Sequence, residues 1–338
     1  MVTIADVARE ANVAPSTVSR ALNGSAPASP EVRVRVLEAA QRLGYRASGT
    51  ARALRQSRTM TVGIVIPDLA NPVFANFLRG AEHTLQAQGY SLFICDAQNS
   101  TELAEREFDR LFAHRVDGLL LGGPAPRRAL EPFREAGIPI EPNPFLFPPG
   151  SESRSAMEEA ATLAAYRFLS RNGHRNIALV SRTTAAARLA SPVHDGRAER
   201  LQRLFESLGR DDACYLEICV PGPEELPAAV QAAAAKQGAP TAYVAASHVL
   251  AAPLLVAIYG AGLGIPEDVS FLTFGDSDWA AAHRPPISVV RHDYYAEAAC
   301  HAARLLVRLG CPVDPGEIRQ VPSEFVNRGS IGPASGTR

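Results

Sequence analysis

The feature that most constrains the fold is a pair of short amphipathic segments, residues 4–11 and 15–22, joined by a tight turn. Asn12 lies at the turn, where a left-handed backbone is tolerated, and Pro15 presets the first helical φ of the second segment. Two stripes this short can bury each other only if the helices cross sharply, which predicts a helix-turn-helix. Many helical bundles also contain such a pair, so this stretch alone leaves both interpretations open. The apolar positions at helical spacing are Ile4, Val7, Ala8 and Ala11, then Val13, Val18, Ala21 and Leu22.

A third helix and a basic linker follow this pair. Ser29, Pro30 and Glu31 are typical of a helix start, and Gly44 is typical of a helix end. Residues 1–58 carry nine arginines against four acidic residues, a net charge of about +5, although the whole chain has a net charge of −1. Basic charge concentrated at one end of a nearly neutral chain is typical of a module that binds phosphates. Four of these arginines lie in the linker, namely Arg46, Arg52, Arg55 and Arg58.

The chain after residue 58 alternates apolar runs with amphipathic segments of helical length. A continuous apolar run between helices predicts a parallel strand that is covered on both faces. With 280 residues available, this part is long enough for two subdomains. The predicted strands are residues 61–66, 90–97, 116–122, 176–181, 242–246 and 269–274.

Several stretches together resemble the lactose-repressor (LacI/GalR) family. The resemblance is carried by TIADVAREANVAPSTVSRALNG, LGYRASGTARAL, VGIVIPDLANPVFA, RVDGLLLGG, NGHRNIALV, GLGIPEDVSFLTFGD and PPISVVR, so that it extends over nearly the whole chain. It implies an all-α helix-turn-helix DNA-binding head and an α/β sensor resembling periplasmic binding proteins, with two doubly wound parallel-sheet lobes. The implied function is sequence-specific repression of transcription, controlled by a small effector in the cleft between the lobes.

The domain boundaries follow from the same resemblance. We expect a DNA-binding domain over residues 1–58, with a hinge helix at about 47–56, and an effector-binding and dimerisation domain over 59–338. The first lobe is expected to comprise about 61–161 plus 289–322, and the second about 162–288 plus 323–338. The chain would therefore cross between the lobes near Ala161, Ser288 and Ser323.

The resemblance also implies which residues contact DNA. Pro15, Ser16 and Arg20 would read bases in the major groove, while Thr17 and Ser19 would contact phosphate or pack. Leu54 would be wedged into the minor groove, because an apolar wedge unstacks a base step and kinks the duplex. The expected partner is double-stranded DNA, a pseudo-palindromic operator bound by a homodimer. The remaining implied DNA-binding residues are Asn23, Ala51, which lies close to the groove floor, and Arg55.

An effector site is implied at the carboxyl ends of the strands. Ser247-His248 stands where the family has Asn-Asp, Gly275 stands where it has Asp, and residues 141–145 read EPNPF in place of an apolar run ending in Asp. Loss of these carboxylates suits an effector with a carboxylate or phosphate group, which arginine binds in bidentate geometry. Four arginines lie in segments that could approach the cleft, namely Arg182, Arg188, Arg197 and Arg200. The alternative is that several of them simply face solvent. The implied effector-binding residues are Asp68, Asn71 and Phe74, for hydrogen bonding and stacking on a ring, with Arg197, Ser247, His248 and Asp276.

Other classes of function find little support in the sequence. The cysteines at positions 95, 214, 219, 300 and 311 lack metal-ligand spacing, and an odd number without a secretory segment fits a reducing cytosol. We therefore expect a cytoplasmic protein without a metal, a cofactor, a catalytic constellation or a membrane span. The two alternatives are an exported solute-binding protein, which needs a signal peptide, and a sugar-metabolising enzyme, which needs catalytic residues in the cleft.

Overall fold

A computed structural model describes residues 2–23, 29–45, 58–123, 125–142, 152–181, 214–319 and 321–334. The chain divides into two compact units, Met1–Met60 and Thr61–Arg338, which we call the head and the sensor. The expected hinge helix at 47–56 lies outside the described residues. Among the residues that the structure does describe, no helix is both long and apolar enough to cross a membrane.

The described part of the head contains three helices, and their ends lie within one residue of the predicted ones. The helices are α1 (Ile4–Glu10), α2 (Pro15–Asn23) and α3 (Pro30–Leu43). Asn12 has a φ of 52°, which lets the chain turn between α1 and α2. The Ser29 hydroxyl accepts a hydrogen bond from the Val32 amide and caps α3, and Gly44 ends α3 with a left-handed φ of 61°.

One apolar cluster holds these helices together. Val7, Val18 and Val36 each have 0% of their surface exposed, and one of them comes from each helix. Burying a valine side chain contributes about 1.5–3 kcal/mol, so that this small core depends on a few residues. The cluster fixes the face that α2 turns inward and leaves its opposite face exposed.

In the described part of the sensor the strands form two sheets. The first has the order β2-β1-β3-β4 and is parallel throughout, and the second has the order β10-β9-β8-β7-β5-β6 and is parallel except for β10. We call the first sheet with its helices the first lobe, and the second sheet with its helices the second lobe. The strands are β1 (Thr61–Ile66), β2 (Ser91–Asp96), β3 (Gly118–Leu121), β4 (Ile140–Glu141), β5 (Asn176–Ser181), β6 (Cys214–Cys219), β7 (Ala242–Ala245), β8 (Ser270–Phe274), β9 (Ser288–Arg291) and β10 (Glu324–Val326).

Helices cover both faces of the second sheet. Tyr243 and Phe271 belong to one buried cluster, whereas their neighbours Val244 and Leu272 belong to another, because successive strand residues point to opposite faces. This arrangement confirms the predicted doubly wound α/β fold class. The sensor helices are α4 (Pro72–Ala87), α5 (Thr101–Ala113), α6 (Arg127–Glu135), α7 (Glu152–Arg171), α8 (Leu226–Ala234), α9 (His248–Gly260), α10 (Asp278–Ala282) and α11 (Tyr294–Arg308).

Two crossings between the lobes differ from the sequence-based expectation. The crossing expected near Ala161 is wrong, because Ala161 lies inside α7 and already packs in the core of the second lobe. The crossing expected near Ser288 falls later, because β9 continues in the second sheet as far as Arg291 before α11 packs against α4. The last crossing precedes Glu324, where β10 begins.

The packing of α4 against α11 yields a first prediction. A methyl group on Gly80 would overlap the backbone carbonyl of Tyr295, so Gly80→Ala should lower the free energy of unfolding by about 1–3 kcal/mol. The matched control is Gly260→Ala, also in a helix, where an added methyl meets nothing within 4 Å. Helix propensity should make that control neutral or stabilising by up to about 1 kcal/mol. Urea denaturation compares the two, and equal effects would contradict the close approach.

Candidate functional site

The exposed face of α2 is the first candidate site. Pro15, Ser16 and Arg20 are exposed, whereas Val18 points into the core of the head. The Arg20 side chain donates to the Ser16 carbonyl at 3.3 Å and to the Thr17 hydroxyl at 3.5 Å. The guanidinium group therefore lies along the first turns of its own helix. From this position it can be presented to a partner without disturbing the core.

The charges around this face favour a polyanion. The α2 segment PSTVSRALN contains no acidic residue. Elsewhere in the head, Asp6 pairs with Arg9 at 3.5 Å and Glu10 pairs with Arg42 at 3.4 Å. Two of the four acidic residues of the head are thus partly neutralised by its own arginines. The other predicted DNA-binding residues are less informative, since Thr17 and Ser19 are half-buried, the side chain of Asn23 is not described, and Ala51, Leu54 and Arg55 lie outside the described residues.

A cavity of about 530 Å³ in the sensor is the second candidate site. It is bounded by the first turns of α4, by the loops at the carboxyl ends of β7 and β8, and by the crossing between β9 and α11. Parallel α/β sheets place ligand sites at such strand ends. The lining residues are Pro72, Val73, Asn76, Arg79, His248, Asp276, Ser277, Asp278, His292, Asp293, Tyr294 and Tyr295.

Only some of the predicted effector-binding residues line this cavity. His248 and Asp276 do, and Ser247 precedes His248 at the start of α9. Asn71 instead caps α4, because its side chain accepts a hydrogen bond from the Val73 amide at 3.2 Å. Phe74 is 6% exposed and is not part of the lining.

Asp68 and Arg197 are the other two residues that the sequence predicted to bind the effector. Asp68 organises its own turn, since it accepts hydrogen bonds from the Ala70 amide at 2.9 Å and from the Asn99 amide group at 3.2 Å. Arg197 lies outside the described residues.

Three polar atoms at the carboxyl edge of the second sheet are buried without a hydrogen-bond partner in the described part of the chain. They are the hydroxyls of Ser247 and Ser277 and the Nδ1 atom of His248. Burial lowers the pKa of His248, although the Asp276 carboxylate partly opposes the shift, so that the ring is neutral at neutral pH. Buried groups of this kind normally have partners, and leaving one unsatisfied costs about 1–3 kcal/mol. His248 and Ser277 belong to the cavity lining, and Ser247 directly precedes His248.

Although the carboxylates that the family has at positions 248 and 275 are absent from the sequence, the described lining of the cavity still contains acidic residues. Asp276, Asp278 and Asp293 all border the cavity. Asp276 is already neutralised, because Arg328 donates to its two oxygens at 2.7 and 2.5 Å in a bidentate ion pair. The hydrogen bond with Asp276 raises the pKa of Arg328 above its ordinary value, so the guanidinium remains charged. Sequence reasoning missed Arg328, because its partner is 52 residues away in the chain.

Comparison with known proteins matches two regions of the chain to family models. Residues 3–48 match the bacterial regulatory proteins of the lacI family, and residues 166–331 match the periplasmic binding protein-like domain. Catabolite control protein A of Priestia megaterium is 28% identical over 321 residues, which cover 91% of this chain and 92% of that protein. The HTH-type transcriptional repressor PurR of Histophilus somni (strain 129Pt) is 27% identical over 343 residues, covering 98% and 99%.

Solved structures share the fold. The lac repressor dimer bound to operator and the anti-inducer ONPF superposes with a TM-score of 0.78 at 20% identity, covering 98% of this chain and 99% of that one. The complex of the transcriptional regulator CelR with cellobiose has a TM-score of 0.62 at 24% identity, covering 98% and 100%. Because both superpositions cover 98% of this chain, the shared fold extends over nearly its whole length.

The ion pair beside the cavity yields a second prediction. Arg328→Gln should lower the free energy of unfolding by about 1–3 kcal/mol, because it leaves the partly buried Asp276 carboxylate without its charged donor. Arg284→Gln is the control, since the Arg284 side chain is exposed and, among the described residues, donates to the nearby carbonyls of Ala282 and His283. Guanidinium denaturation measures both variants. A loss for Arg328→Gln no larger than that of the control would show that Asp276 does not depend on this partner.

Proposed function

The chain belongs to the lacI family of bacterial regulatory proteins, and from that premise we propose that it represses transcription at a pseudo-palindromic operator under the control of a small effector. The observation that carries the proposal is the exposed start of α2. The buried valines of the head fix the inner face of this helix, so that its opposite face points to solvent. The second helix of a helix-turn-helix enters the major groove with its N-terminal residues against the base edges.

In this proposal Arg20, Ser16 and Pro15 read bases, and Thr17 and Ser19 contact phosphate or pack. Arginine is suited to guanine, whose O6 and N7 atoms accept its two parallel donors. Asn23 and Arg55 add contacts, and Leu54, with Ala51 near the groove floor, is wedged into the minor groove at the operator centre. Contacts to phosphate fix the position of the head, whereas contacts to base edges provide the sequence preference.

We propose that the chain acts as a homodimer. One small head offers few contacts, and two heads related by twofold symmetry would match two inverted half-sites. The structural neighbour described above as a dimer bound to operator supports this geometry. The protein would act in the cytoplasm, where the DNA is, and not as an enzyme. Turnover of a candidate metabolite by the purified protein would contradict that last point.

The sensor cavity is the proposed effector site. Ser247, His248 and Ser277 offer neutral hydrogen-bonding groups, and Asp278 offers a carboxylate, which together suit a hydroxyl-rich metabolite such as a sugar or a sugar acid. Cellobiose in the CelR complex is a ligand of this class. The expectation of an effector with a carboxylate or phosphate now rests on Arg197. The described lining, with three aspartates, does not add to it.

The DNA-binding proposal predicts that Arg20→Ala relaxes sequence preference. Operator sequences selected from random DNA by the full chain should bind the variant about 1–3 kcal/mol more weakly, whereas binding to random DNA changes little. The control is Arg9→Ala, because the exposed Arg9 side chain pairs with Asp6 on α1. Fluorescence anisotropy at several salt concentrations measures both. Equal losses on operator and on random DNA would identify Arg20 as a phosphate contact.

The effector proposal predicts which ligands stabilise the chain. In a thermal-shift panel of neutral sugars, sugar acids and sugar phosphates, a ligand at about 100 times its dissociation constant should stabilise the protein by about 2.7 kcal/mol. His248→Phe should abolish that response because it removes the ring nitrogens from the cavity, whereas His114→Phe on the surface should preserve it.

Arg197→Ala tests the charge of the effector in the same panel. If only acids and phosphates stabilise the wild type and this variant loses the response, the effector is an anion. Stabilisation by neutral sugars alone, unchanged in the variant, would exclude the pairing of Arg197 with an anionic group.

A panel in which His248→Phe responds like the wild type would contradict the assignment of the cavity as the effector site.

A further inference from the structure

A row of buried titratable side chains runs through the first lobe beside the proposed effector cavity. Glu141, at the end of β4, is 3% exposed, His301 on α11 is 1% exposed, and Glu297 on α11 is 7% exposed. The fourth member is His292, in the crossing between β9 and α11, whose side chain is 4% exposed. None of these residues is among the predicted DNA-binding residues. Buried ionisable groups are costly unless they are paired, so their arrangement requires an explanation.

The contacts within the row show how many protons it holds. The Nδ1 atom of His301 lies 3.3 Å from a carboxylate oxygen of Glu141, and its Nε2 atom lies 2.8 Å from a carboxylate oxygen of Glu297. A neutral imidazole has one N–H group and one acceptor nitrogen, so it can donate to only one of two carboxylates. Both contacts are satisfied only if the three groups share one additional proton.

The electrostatic surroundings of His301 agree with this count. Burial alone disfavours its charged form, but the hydrogen bonds to Glu141 and Glu297 outweigh burial and raise the pKa of His301. A raised pKa means that the folded chain holds this proton at a pH at which the unfolded chain has lost it.

The other charged groups near the row lie on α11 itself and on the elements packed against it. Arg308 lies 3.3 Å and Arg304 lies 3.9 Å from the Glu141 carboxylate, and both arginine side chains are exposed by more than a third. Strand β3 presents only apolar residues and a glycine. Helix α4 contributes His83, which hydrogen-bonds to the Tyr295 hydroxyl, and the turn Pro315–Glu317 carries an exposed Glu317. The ring of His301 therefore responds chiefly to the two glutamates.

The row ends at the segments that connect the lobes. The Nε2 atom of His292 lies 3.4 Å from the second carboxylate oxygen of Glu297, and its Nδ1 atom lies 3.2 Å from the Ser323 hydroxyl. His292 directly follows β9, and Ser323 directly precedes β10. The side chains thus tie two crossings to each other and to the interior of the first lobe. His292 also lines the proposed effector cavity.

We propose that Glu141, His301, Glu297 and His292 form a proton-dependent clamp on two of the segments that connect the lobes. While the shared proton is present, Glu297 is held between His301 and His292, and both crossings are fixed. Loss of the proton leaves two buried carboxylates beside a neutral ring, so that one contact is lost and the two crossings loosen. Hinge motion between lobes is absorbed by a few residues in such segments, so the clamp would make that motion depend on pH.

Observation of the imidazole rings in the full-length protein tests the clamp. In protein labelled with ¹³C at histidine Cε1, the signal that disappears in His301→Gln identifies His301. Its titration midpoint should lie above the ordinary value of about 6.5, and Glu297→Gln should shift the midpoint downward. A wild-type midpoint at or below 6.5 would overturn the proposal. If His301→Gln does not fold, Glu141→Gln and Glu297→Gln identify the ring by their shifts.

The pH dependence of unfolding gives a second test with a defined sign. Because the pKa of His301 is raised on folding, its contribution is fully present below about pH 6.5 and is lost as the pH rises through the folded-state value. The unfolding equilibrium constant should therefore rise by up to about tenfold per pH unit in that window, and Glu297→Gln should flatten the rise. His174→Gln is the matched control, because burial lowers the pKa of His174 and its contribution is lost in the opposite direction, as the pH falls.

Hydrogen exchange distinguishes a clamp from a static ion pair. Amides in residues 289–296 and 321–326, corrected for intrinsic exchange, should exchange faster above the midpoint of His301 in the wild type. In Glu297→Gln they should exchange fast at every pH. A ring that titrates above 6.5 with unchanged exchange in both segments would overturn the clamp. None of these measurements uses DNA or an effector, so their failure would leave the proposed function intact.

Discussion

The burial of the second sheet on both faces is the constraint on which the rest of the sensor depends. Tyr243 and Phe271 pack on one side and Val244 and Leu272 on the other, so that the strand interiors have no surface left for a ligand. Polar groups that contact a ligand must therefore lie where the strands end. Ser247 and Ser277 lie at that edge, and their hydroxyls are buried without a partner in the described part of the chain. The requirements of the core thus determine the position of the candidate effector site.

The two lobes satisfy their buried charges in different ways. In the second lobe, Arg328 holds Asp276 in a bidentate ion pair, which neutralises that carboxylate at the cavity wall. In the first lobe, His301 lies between Glu141 and Glu297. Glu297 in turn contacts His292, which lies in the crossing between β9 and α11. The first arrangement fixes the cavity wall at any ordinary pH, because an arginine does not lose its proton. The second depends on one proton and so makes the connecting segments sensitive to pH.

Local signals in the sequence predicted many of the helices and strands and the family. They did not predict side-chain contacts between residues that are far apart in the chain. Asn12 and Gly44 marked the turns of the head, because few residues tolerate the left-handed backbone found there. The apolar runs predicted six of the ten described strands, β1, β2, β3, β5, β7 and β8. The first crossing was placed inside α7, since amphipathic periodicity does not show which sheet a helix covers. The His301–Glu141 contact spans 160 residues and leaves no periodic signature. Phe74 was predicted to stack on a ligand, but its side chain is buried and does not line the cavity. The sequence does not show whether a side chain is buried.

In the proposed function, occupation of the sensor by its ligand changes the affinity of the head for DNA. The most direct measurement is a titration of selected operator DNA with the full chain, with and without a metabolite that stabilises the sensor against heat. We expect saturating ligand to shift operator affinity by at least about fivefold, the lower end of ordinary coupling between sites, and operator to shift ligand affinity by the same factor. A ligand that saturates the sensor and leaves operator affinity unchanged would show that the two sites are not coupled.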